Sequence, residues 1–135
     1  MENETKNKII LINPHELIAH EKVNIFHAIY IYLKMIFSGH FDVPVLIDSR
    51  TKIILDGHHR VYAANRLGLK KVPCCVIDYI ENTSIQVETR RRDIFINKAE
   101  VVKMALSPKV FPDKTTKHVY KISSFRSFLL KELWE

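Results

Sequence analysis

The sequence predicts an α/β (α+β) fold, in which a small mixed sheet is flanked by helices. Its length of 135 residues matches one domain, and 47% apolar residues are enough to form one core. Short apolar runs that are typical of strands alternate along the chain with longer segments of helical periodicity. We therefore expect residues 1–135 to form a single domain.

The first third of the chain predicts a strand, a loop and a long helix. The run KIILIN is short and apolar, and Pro14 ends it because proline favours extended backbone before it and lacks an amide donor. In the helix, apolar residues recur at intervals of three and four, which predicts one face turned towards the core. These residues are Val23, Phe26, Tyr30, Leu33 and Phe37. Gly39 is a typical C-terminal stop signal.

The centre of the chain predicts a hairpin, a helix and a buried strand. The apolar segments VPVLID and KIILD are separated only by SRT, and HRVYAANRL contains strong helix formers that end at Gly68. The run VPCCVIDY is nearly continuous in apolar residues, which is typical of a strand buried on both faces. As neighbours on a strand, Cys74 and Cys75 point to opposite faces, so we expect two small buried thiols rather than a disulfide.

The last third of the chain predicts a strand and two helices. The segment ENTSIQVETRRRD alternates as an exposed strand does. The segment NKAEVVKMAL begins with an asparagine cap at Asn97, has Glu100 three residues later and ends before Pro108. The segment FRSFLLKELW predicts a short terminal helix.

The charge and the N-terminus limit the class of function. The chain has 21 Lys and Arg against 15 Asp and Glu, and its formal charge of +6 favours anionic partners such as nucleotides, phosphorylated metabolites or nucleic acid. The N-terminal MENETKNK lacks an apolar signal core, and no apolar run is long enough to span a bilayer. We therefore expect a cytoplasmic protein with no membrane partner.

The segment IILDGHHRVYAANRLG carries the densest chemistry in the sequence. A strand turns into a helix at Gly57, so the first amides of the helix point outwards with the positive end of the helix dipole behind them. This geometry favours an anion such as phosphate. Arg60 can donate hydrogen bonds to that anion, and the imidazoles of His58 and His59 can donate to it or stabilise its charge. Asp56 is well located to hold a Mg²⁺ ion that bridges the phosphates.

Two other interpretations of this turn stay open. A zinc site is disfavoured because adjacent histidines such as His58 and His59 rarely converge on one metal, and no second ligand pair stands at a recognisable spacing. Alternatively, Asp56 caps the helix and both histidines are ordinary surface residues. The chain contains neither a Walker A loop nor GxGxxG, so the common nucleotide-binding motifs do not help.

The motif DGHHRVYAANRLGLKKVPCCVIDY resembles the core of the ParB/sulfiredoxin superfamily, and within it most resembles the free L-serine kinases. The similarity extends to PHE at residues 14–16, SGHFDVP at 38–44 and FPDKTTKHV at 111–119. The occurrence of DGHHR and KTTKH in this order is its most specific part. The resemblance implies a ParB-like fold and transfer of a phosphoryl group from ADP or ATP, with Mg²⁺, to the hydroxyl of L-serine, giving O-phospho-L-serine.

The resemblance also implies roles for single residues. Glu16 matches the carboxylate that accepts the proton of the serine hydroxyl, and Asp56 matches the Mg²⁺ ligand. The predicted catalytic residues are Glu16, Asp56 and His59. The predicted nucleotide- and phosphate-binding residues are Gly57, His58, His59, Arg60 and Lys114. The predicted substrate-binding residues are Thr115, Thr116 and His118.

Other members of the superfamily suggest different functions. Sulfiredoxins need a cysteine in the turn where this chain has histidine, which argues against reductase chemistry. ParB partition proteins add a separate helix-turn-helix domain, for which 135 residues leave little space. The positive charge, the related turn and the run Arg90, Arg91 and Arg92 nevertheless keep a ParB-like, nucleotide-responsive DNA-binding or regulatory module as the alternative function. Nucleic acid is thus a possible but not a favoured partner.

Overall fold

A computed structural model of the chain shows a four-stranded mixed sheet with helices on both faces. It describes residues 4–5, 9–80, 86–89, 97–106, 116–119, 121–122 and 126–135. The strands are β1 (Glu4–Thr5), β2 (Ile9–Ile12), β3 (His40–Phe41), β4 (Val45–Asp48), β5 (Ile54–Asp56), β6 (Val72–Ile77), β7 (Gln86–Thr89), β8 (Thr116–Val119), β9 (Lys121–Ile122) and β10 (Phe128–Leu129). The helices are α1 (Ile25–Ser38), α2 (His58–Leu67), α3 (Lys98–Ala105) and α4 (Leu130–Leu133), and a 3₁₀ turn spans Pro14–Glu16. The predicted α/β class is confirmed.

The central sheet has the strand order β2-β6-β4-β5. The predicted hairpin is confirmed, because β4 pairs with β5 in antiparallel orientation. Strand β6 runs antiparallel to β2 and parallel to β4. Helix α2 makes the connection from β5 back to β6. The turn between β5 and α2 therefore lies at an edge strand of the four-stranded sheet.

Each face of the sheet carries its own apolar core. Cys74 lies in the core that faces α1, α2 and the C-terminal segment, and Cys75 lies in the core that faces α3. Strand β6 is thus buried on both faces, as predicted, and both cysteines are buried thiols that form no disulfide with each other. Burial, assisted by the neighbouring Cys75, raises the pKa of the Cys74 thiol to about 12, which keeps it protonated and unreactive.

The prediction of which side of α1 faces the core is wrong. The fully buried residues of this helix are Ala28 and Met35, whereas Phe26 and Phe37 are 82% and 86% exposed. The helix is apolar almost all round, so a spacing of three and four fits more than one stripe of side chains. Packing against α2 selects the stripe that contains Ala28, because a small residue lets two helices approach closely.

The helix ends mostly follow the sequence signals. Gly39 and Gly68 adopt the left-handed conformation after α1 and α2, as expected of C-terminal glycines. The Asn24 side chain caps α1 by accepting hydrogen bonds from the amides of Phe26 and His27. The terminal helix is shorter than predicted, since the preceding strand β10 pairs with β3.

Some predictions fall on parts of the chain outside the described residues. These are the helix end at Pro108 and the arginine run Arg90, Arg91 and Arg92. Strand β7 and helix α3 lie within the segments predicted for them. The single-domain assignment stays a prediction. Within the described ranges, none of the helices has the length and apolar character needed to cross a membrane.

The core can be tested with a matched pair of leucines. Leu46 is fully buried in β4, and Leu106 is 63% exposed after α3. We expect Leu46→Ala to lower the free energy of unfolding by about 3 kcal/mol, because it leaves a cavity that the sheet cannot fill. Leu106→Ala should cost less than about 1 kcal/mol. Urea unfolding measures both, and equal losses would contradict this assignment of the core.

Candidate functional site

The site is built around the turn between β5 and α2. Gly57 is the N-cap residue of α2 and has φ 109° and ψ 24°, a left-handed conformation that favours glycine. A Cβ atom there would lie 2.9 Å from Nη2 of Arg60. Because Gly57 holds the N-cap position, the alternative in which Asp56 is the N-cap residue is wrong. The amides of the first helical turn lack a capping side chain at Gly57, which leaves this helix start suited to an anion.

Two histidines at the start of α2 accept hydrogen bonds from the loop that precedes α1. Nε2 of His58 accepts from the backbone amide of His20 at 3.2 Å. Nε2 of His59 accepts from the backbone amide of Asn24 at 3.0 Å. Because an amide N–H can only donate, both Nε2 atoms must be unprotonated while these bonds exist. The two imidazoles therefore fasten the helix start to the loop 20–24.

A third histidine, His20, packs against the start of α2. His20 is fully buried, and its Nδ1 donates to the carbonyl oxygen of Ile54 at 2.7 Å. Its ring meets the ring of His58 edge to face at 4.6 Å, and His27 contacts His59 in the same way at 4.5 Å. Burial lowers the pKa of His20 to about 4, against an opposing effect of its hydrogen bond to Ile54. His20 is therefore neutral near pH 7.

These contacts restrict what His58 and His59 can contribute to an anion site. The sequence suggested that their imidazoles donate to phosphate or stabilise its charge. Stabilisation by charge needs an imidazolium, which would lose the Nε2 bonds to His20 and Asn24. Their predicted roles in phosphate binding and catalysis stay predictions.

Arg60 is the cationic group next to the turn. Its Nη2 donates to the carbonyl oxygen of Pro44 at 3.3 Å, and its buried Nε has no hydrogen-bond partner among the residues that the structure describes. An unsatisfied buried N–H costs roughly 1–3 kcal/mol, so a ligand that accepts from it gains this energy back. The guanidinium borders a cleft of about 100 Å³. Its other lining residues are Ile31, Lys34, Met35, Ser38, His40, Asp42 and Val43.

Glu16 stands in the 3₁₀ turn beside α2 and is exposed. Its Oε1 lies 2.9 Å from Nζ of Lys52. Lys52 follows the β4–β5 turn and has φ 62°, an uncommon conformation for a residue with a side chain. The backbone fixes this pair, because the amide of Ile18 donates to the Lys52 carbonyl oxygen at 2.9 Å. The predicted base thus has a cationic neighbour that the sequence did not reveal.

Asp56 ends β5 and is half-buried beside the turn. Within the part of the chain that the structure describes, no group of three or more His, Cys, Asp or Glu side chains is arranged to hold a metal ion. Magnesium usually keeps several water ligands and binds through one or two carboxylates together with substrate phosphates. A single carboxylate next to an anion site fits this pattern.

The remaining predicted site residues are only partly described. Lys114 and Thr115 lie outside the described residues. Thr116 and His118 belong to β8, whose backbone pairs with β7 and lies next to β5. The C-terminal motif is thus brought beside the strand that ends at Asp56, although the chain separates the two by about sixty residues.

The structure adds site residues that the sequence did not single out. Besides Lys52, they are His20, Asn24 and Lys34. His20 and Asn24 act mainly through their backbone amides, which leave no mark in a sequence. Lys34 and the cleft appear only when α1 packs beside Arg60. The SGHFDVP motif was a usable signal for the cleft, because four of its residues line it.

Comparison of sequences shows relatives for about half of the chain. A ParB-like protein from Sulfolobus acidocaldarius is 38% identical over 79 residues, which are 58% of this chain and 38% of the relative. An ATP-dependent L-serine kinase from Staphylothermus marinus is 33% identical over 76 residues, 53% of this chain and 30% of the relative. The chain thus spans well under half the length of these curated relatives. No family model matches the sequence.

Solved structures share the fold over nearly the whole chain. A free serine kinase in complex with AMP has a TM-score of 0.83 at 15% identity and covers 96% of this chain and 95% of its own. A conserved hypothetical protein from Pyrococcus furiosus has a TM-score of 0.82 at 17% identity, with 96% and 98% covered. At such identities the likeness concerns the fold. Together with the sequence relatives, it confirms the predicted resemblance to the ParB-like serine kinases.

The buried histidine predicts how stability depends on pH. In the unfolded chain His20 takes up a proton near its ordinary value of 6.5, whereas in the fold it does so only near 4. Between these values the unfolded state binds more protons, so the free energy of unfolding falls as the pH is lowered through this window. His20 should contribute at most about 3 kcal/mol to the loss.

Urea unfolding between neutral and acidic pH, together with NMR titration of the ring, measures this effect. His20→Gln should remove this part of the pH dependence, and His15→Gln, at an exposed position, should leave it unchanged. A His20 ring that titrates at the ordinary histidine value would contradict the prediction.

Proposed function

We propose that this chain, which has the fold of the ParB-like serine kinases, is a free L-serine kinase. It transfers a phosphoryl group from ADP or ATP to the hydroxyl of L-serine and gives O-phospho-L-serine. The observation that supports this best is the Gly57 turn, which leaves the start of α2 without a capping side chain beside the Arg60 guanidinium. The chain that carries this turn is similar in sequence to L-serine kinases. Such a helix start is a ready-made site for phosphate oxygens.

The phosphates of the nucleotide would bind at the first turn of α2. The amides after Gly57 and the guanidinium of Arg60 supply the positive potential, since neutral His58 and His59 add polar contacts but no charge. The orphaned Nε of Arg60 gains an acceptor when a phosphate oxygen approaches it. Lys114 is assigned to the same anion on the basis of the family motif.

The cleft beside Arg60 is the candidate site for the rest of the nucleotide. Its walls combine apolar side chains of α1 with Ser38, His40 and Asp42, which offer hydrogen bonds to a base or a ribose. Its volume of about 100 Å³ suits one part of the nucleotide rather than the whole molecule. A nucleotide that lies across both places would bridge α1 and α2.

Asp56 would hold Mg²⁺ with the nucleotide phosphates and water. The ion would supply neutralisation of the negative charge on the transferred group. The residues of this chain supply the alignment, because the helix start orients the phosphates. The hydrogen bonds of His58 and His59 keep this helix start in place against the loop 20–24.

Glu16 would act as the general base towards the serine hydroxyl. The hydroxyl oxygen forms a bond to the terminal phosphorus, the bond to the leaving ADP or AMP breaks, and the hydroxyl proton passes to the Glu16 carboxylate. Because the transition state is loose, most of the acceleration comes from alignment and charge neutralisation. Lys52 is the ion-pair partner of this carboxylate, and the pair is exposed, so an arriving substrate can displace it. Thr115, Thr116 and His118 would bind the carboxylate of serine.

A second candidate is a ParB-like, nucleotide-responsive DNA-binding or regulatory module. The observation that favours it is the 38% identity to a ParB-like protein, together with the formal charge of +6. Binding to duplex DNA would weaken steeply as the salt concentration rises, because phosphate contacts release counterions.

The kinase proposal predicts separate effects on turnover and binding. With Mg²⁺, ADP or ATP and a panel of amino acids, we expect phosphoserine, detected by mass spectrometry or phosphorus NMR. Glu16→Gln should lower turnover by about 100-fold or more while it leaves the nucleotide dissociation constant nearly unchanged. Glu135→Gln, at an exposed acid near the C-terminus, is the control.

Two results would count against the proposal. The absence of any phosphorylated amino acid with either donor would remove the kinase activity, and salt-dependent binding to duplex DNA would then favour the second candidate. Equal losses of turnover and nucleotide affinity in Glu16→Gln would contradict the role of Glu16 as base.

The phosphate site can be tested with a pair of glycines. Gly57→Ala places a Cβ against the Arg60 guanidinium and should weaken nucleotide binding by about tenfold or more. Gly68→Ala strains a similar left-handed residue after α2, but its Cβ meets open space. We expect both variants to lose about 1 kcal/mol of stability or more, and only Gly57→Ala to lose affinity. Calorimetric titration with ADP and ATP distinguishes them, and equal affinities would contradict this phosphate site.

A further inference from the structure

Helix α1 carries a row of large apolar side chains on its outer surface. Phe26 and Phe37 are 82% and 86% exposed, and Tyr30 and Leu33 between them are 55% and 44% exposed. We call these four residues the outer stripe. Ile25, Ile29 and Ile36 flank it and are also exposed. Of the fourteen residues of α1, only Lys34 carries a full charge.

The outer stripe lies opposite the side of α1 that packs on the protein. At about 100° per residue, its four members fall within about 60° of one another and roughly opposite Ala28 and Met35. Among the described elements, α1 packs mainly against α2 and β3. The apolar character of the outer stripe is therefore not needed to hold α1 in the fold.

The exposed apolar area is large enough for a stable interface. The seven exposed side chains together present on the order of 800 Å² to solvent, if a large side chain has about 200 Å² in full exposure. The largest apolar patch on a typical monomer covers about 300–600 Å². A standard protein–protein interface buries about 800 Å² on each partner.

The spacing of the outer stripe is symmetric about its own centre. From Phe26 the next members follow after four, three and four residues, so the row reads the same in both directions along the helix. Two copies of α1 placed antiparallel around a two-fold axis would therefore align Phe26 with Phe37 and Tyr30 with Leu33. A self-complementary patch is what a two-fold interface requires.

We propose that the outer stripe of α1 is the interface of an antiparallel homodimer. The second copy of this chain binds with its own α1, and each Phe26 packs against Phe37 of the other copy. A membrane surface fits less well, because helices that lie on membranes usually carry several Lys or Arg residues beside their apolar face. Helix α1 has one lysine, and its opposite side is packed inside the protein.

The oligomeric state tests the proposal directly. Sedimentation equilibrium of the full chain over a wide range of protein concentration should show a reversible monomer–dimer equilibrium. Phe37→Glu and Phe26→Glu should each raise the dimer dissociation constant by about thirtyfold or more, because each would place a charge in an apolar contact and remove its largest exposed side chain. Leu106→Glu, at a similarly exposed leucine outside α1, should leave the constant unchanged. Circular dichroism checks that each variant is folded.

Disulfide trapping tests the orientation of the two helices. A chain with Phe26→Cys mixed with a chain with Phe37→Cys should form a cross-linked dimer under mild oxidation. Neither variant alone should do so, because copies of the same position would lie about 16 Å apart along the helices. The native Cys74 and Cys75 are buried and leave the readout undisturbed.

Three results would overturn the proposal. The first is a wild-type chain that stays monomeric at every concentration, and binding to anionic lipid vesicles would in that case identify a membrane surface. The second is a dimer that both glutamate variants leave intact. The third is cross-linking of either cysteine variant to itself, which would indicate parallel helices.

Discussion

The candidate site depends on two hydrogen bonds, in which two adjacent imidazoles accept from two backbone amides. His58 and His59 begin α2, and their Nε2 atoms hold the amides of His20 and Asn24. These two bonds join the start of one helix to the loop that leads into another. The left-handed Gly57 makes the connection sterically possible, since a Cβ there would collide with Arg60. These two hydrogen bonds determine the direction of the helix start, and with it the position of Arg60 and the wall of the cleft.

The same two hydrogen bonds determine the electrostatics of the site. His20 is buried beside His58 and is kept neutral by desolvation. The rings of His58 and His59 accept hydrogen bonds from backbone amides. Positive potential therefore comes from the helix dipole and from Arg60, neither of which depends on pH in the physiological range. Within the 3₁₀ turn, Glu16 is paired with Lys52 in an exposed position, where screening by water keeps the ion pair weak and easily displaced. A substrate can exchange with such a pair at little cost.

Helix α1 connects the site with the outer surface of the protein. Its N-terminus adjoins the amide bound by His59, and its C-terminal half lines the cleft beside Arg60. Its opposite side carries the outer stripe. A partner bound to that stripe would hold in place the helix that forms one wall of the cleft. The fold thus places the outer stripe and the candidate nucleotide site on two sides of one helix.

The sequence by itself determined the elements whose signals are local. Glycines in left-handed turns end α1 and α2, the apolar runs became β2 and β6, and neighbouring Cys74 and Cys75 divided between the two cores because strand side chains alternate. The DGHHR segment correctly predicted a strand, a tight turn and a helix start at residues 56 to 60. Only the tertiary structure decided which side of α1 is buried, because a helix that is apolar all round fits the core in several rotations and contact with α2 selects one. It also decided the partners of His58, His59 and Glu16, since these contacts join residues 35 to 38 positions apart and two of them end on backbone amides that have the same chemistry in nearly every residue.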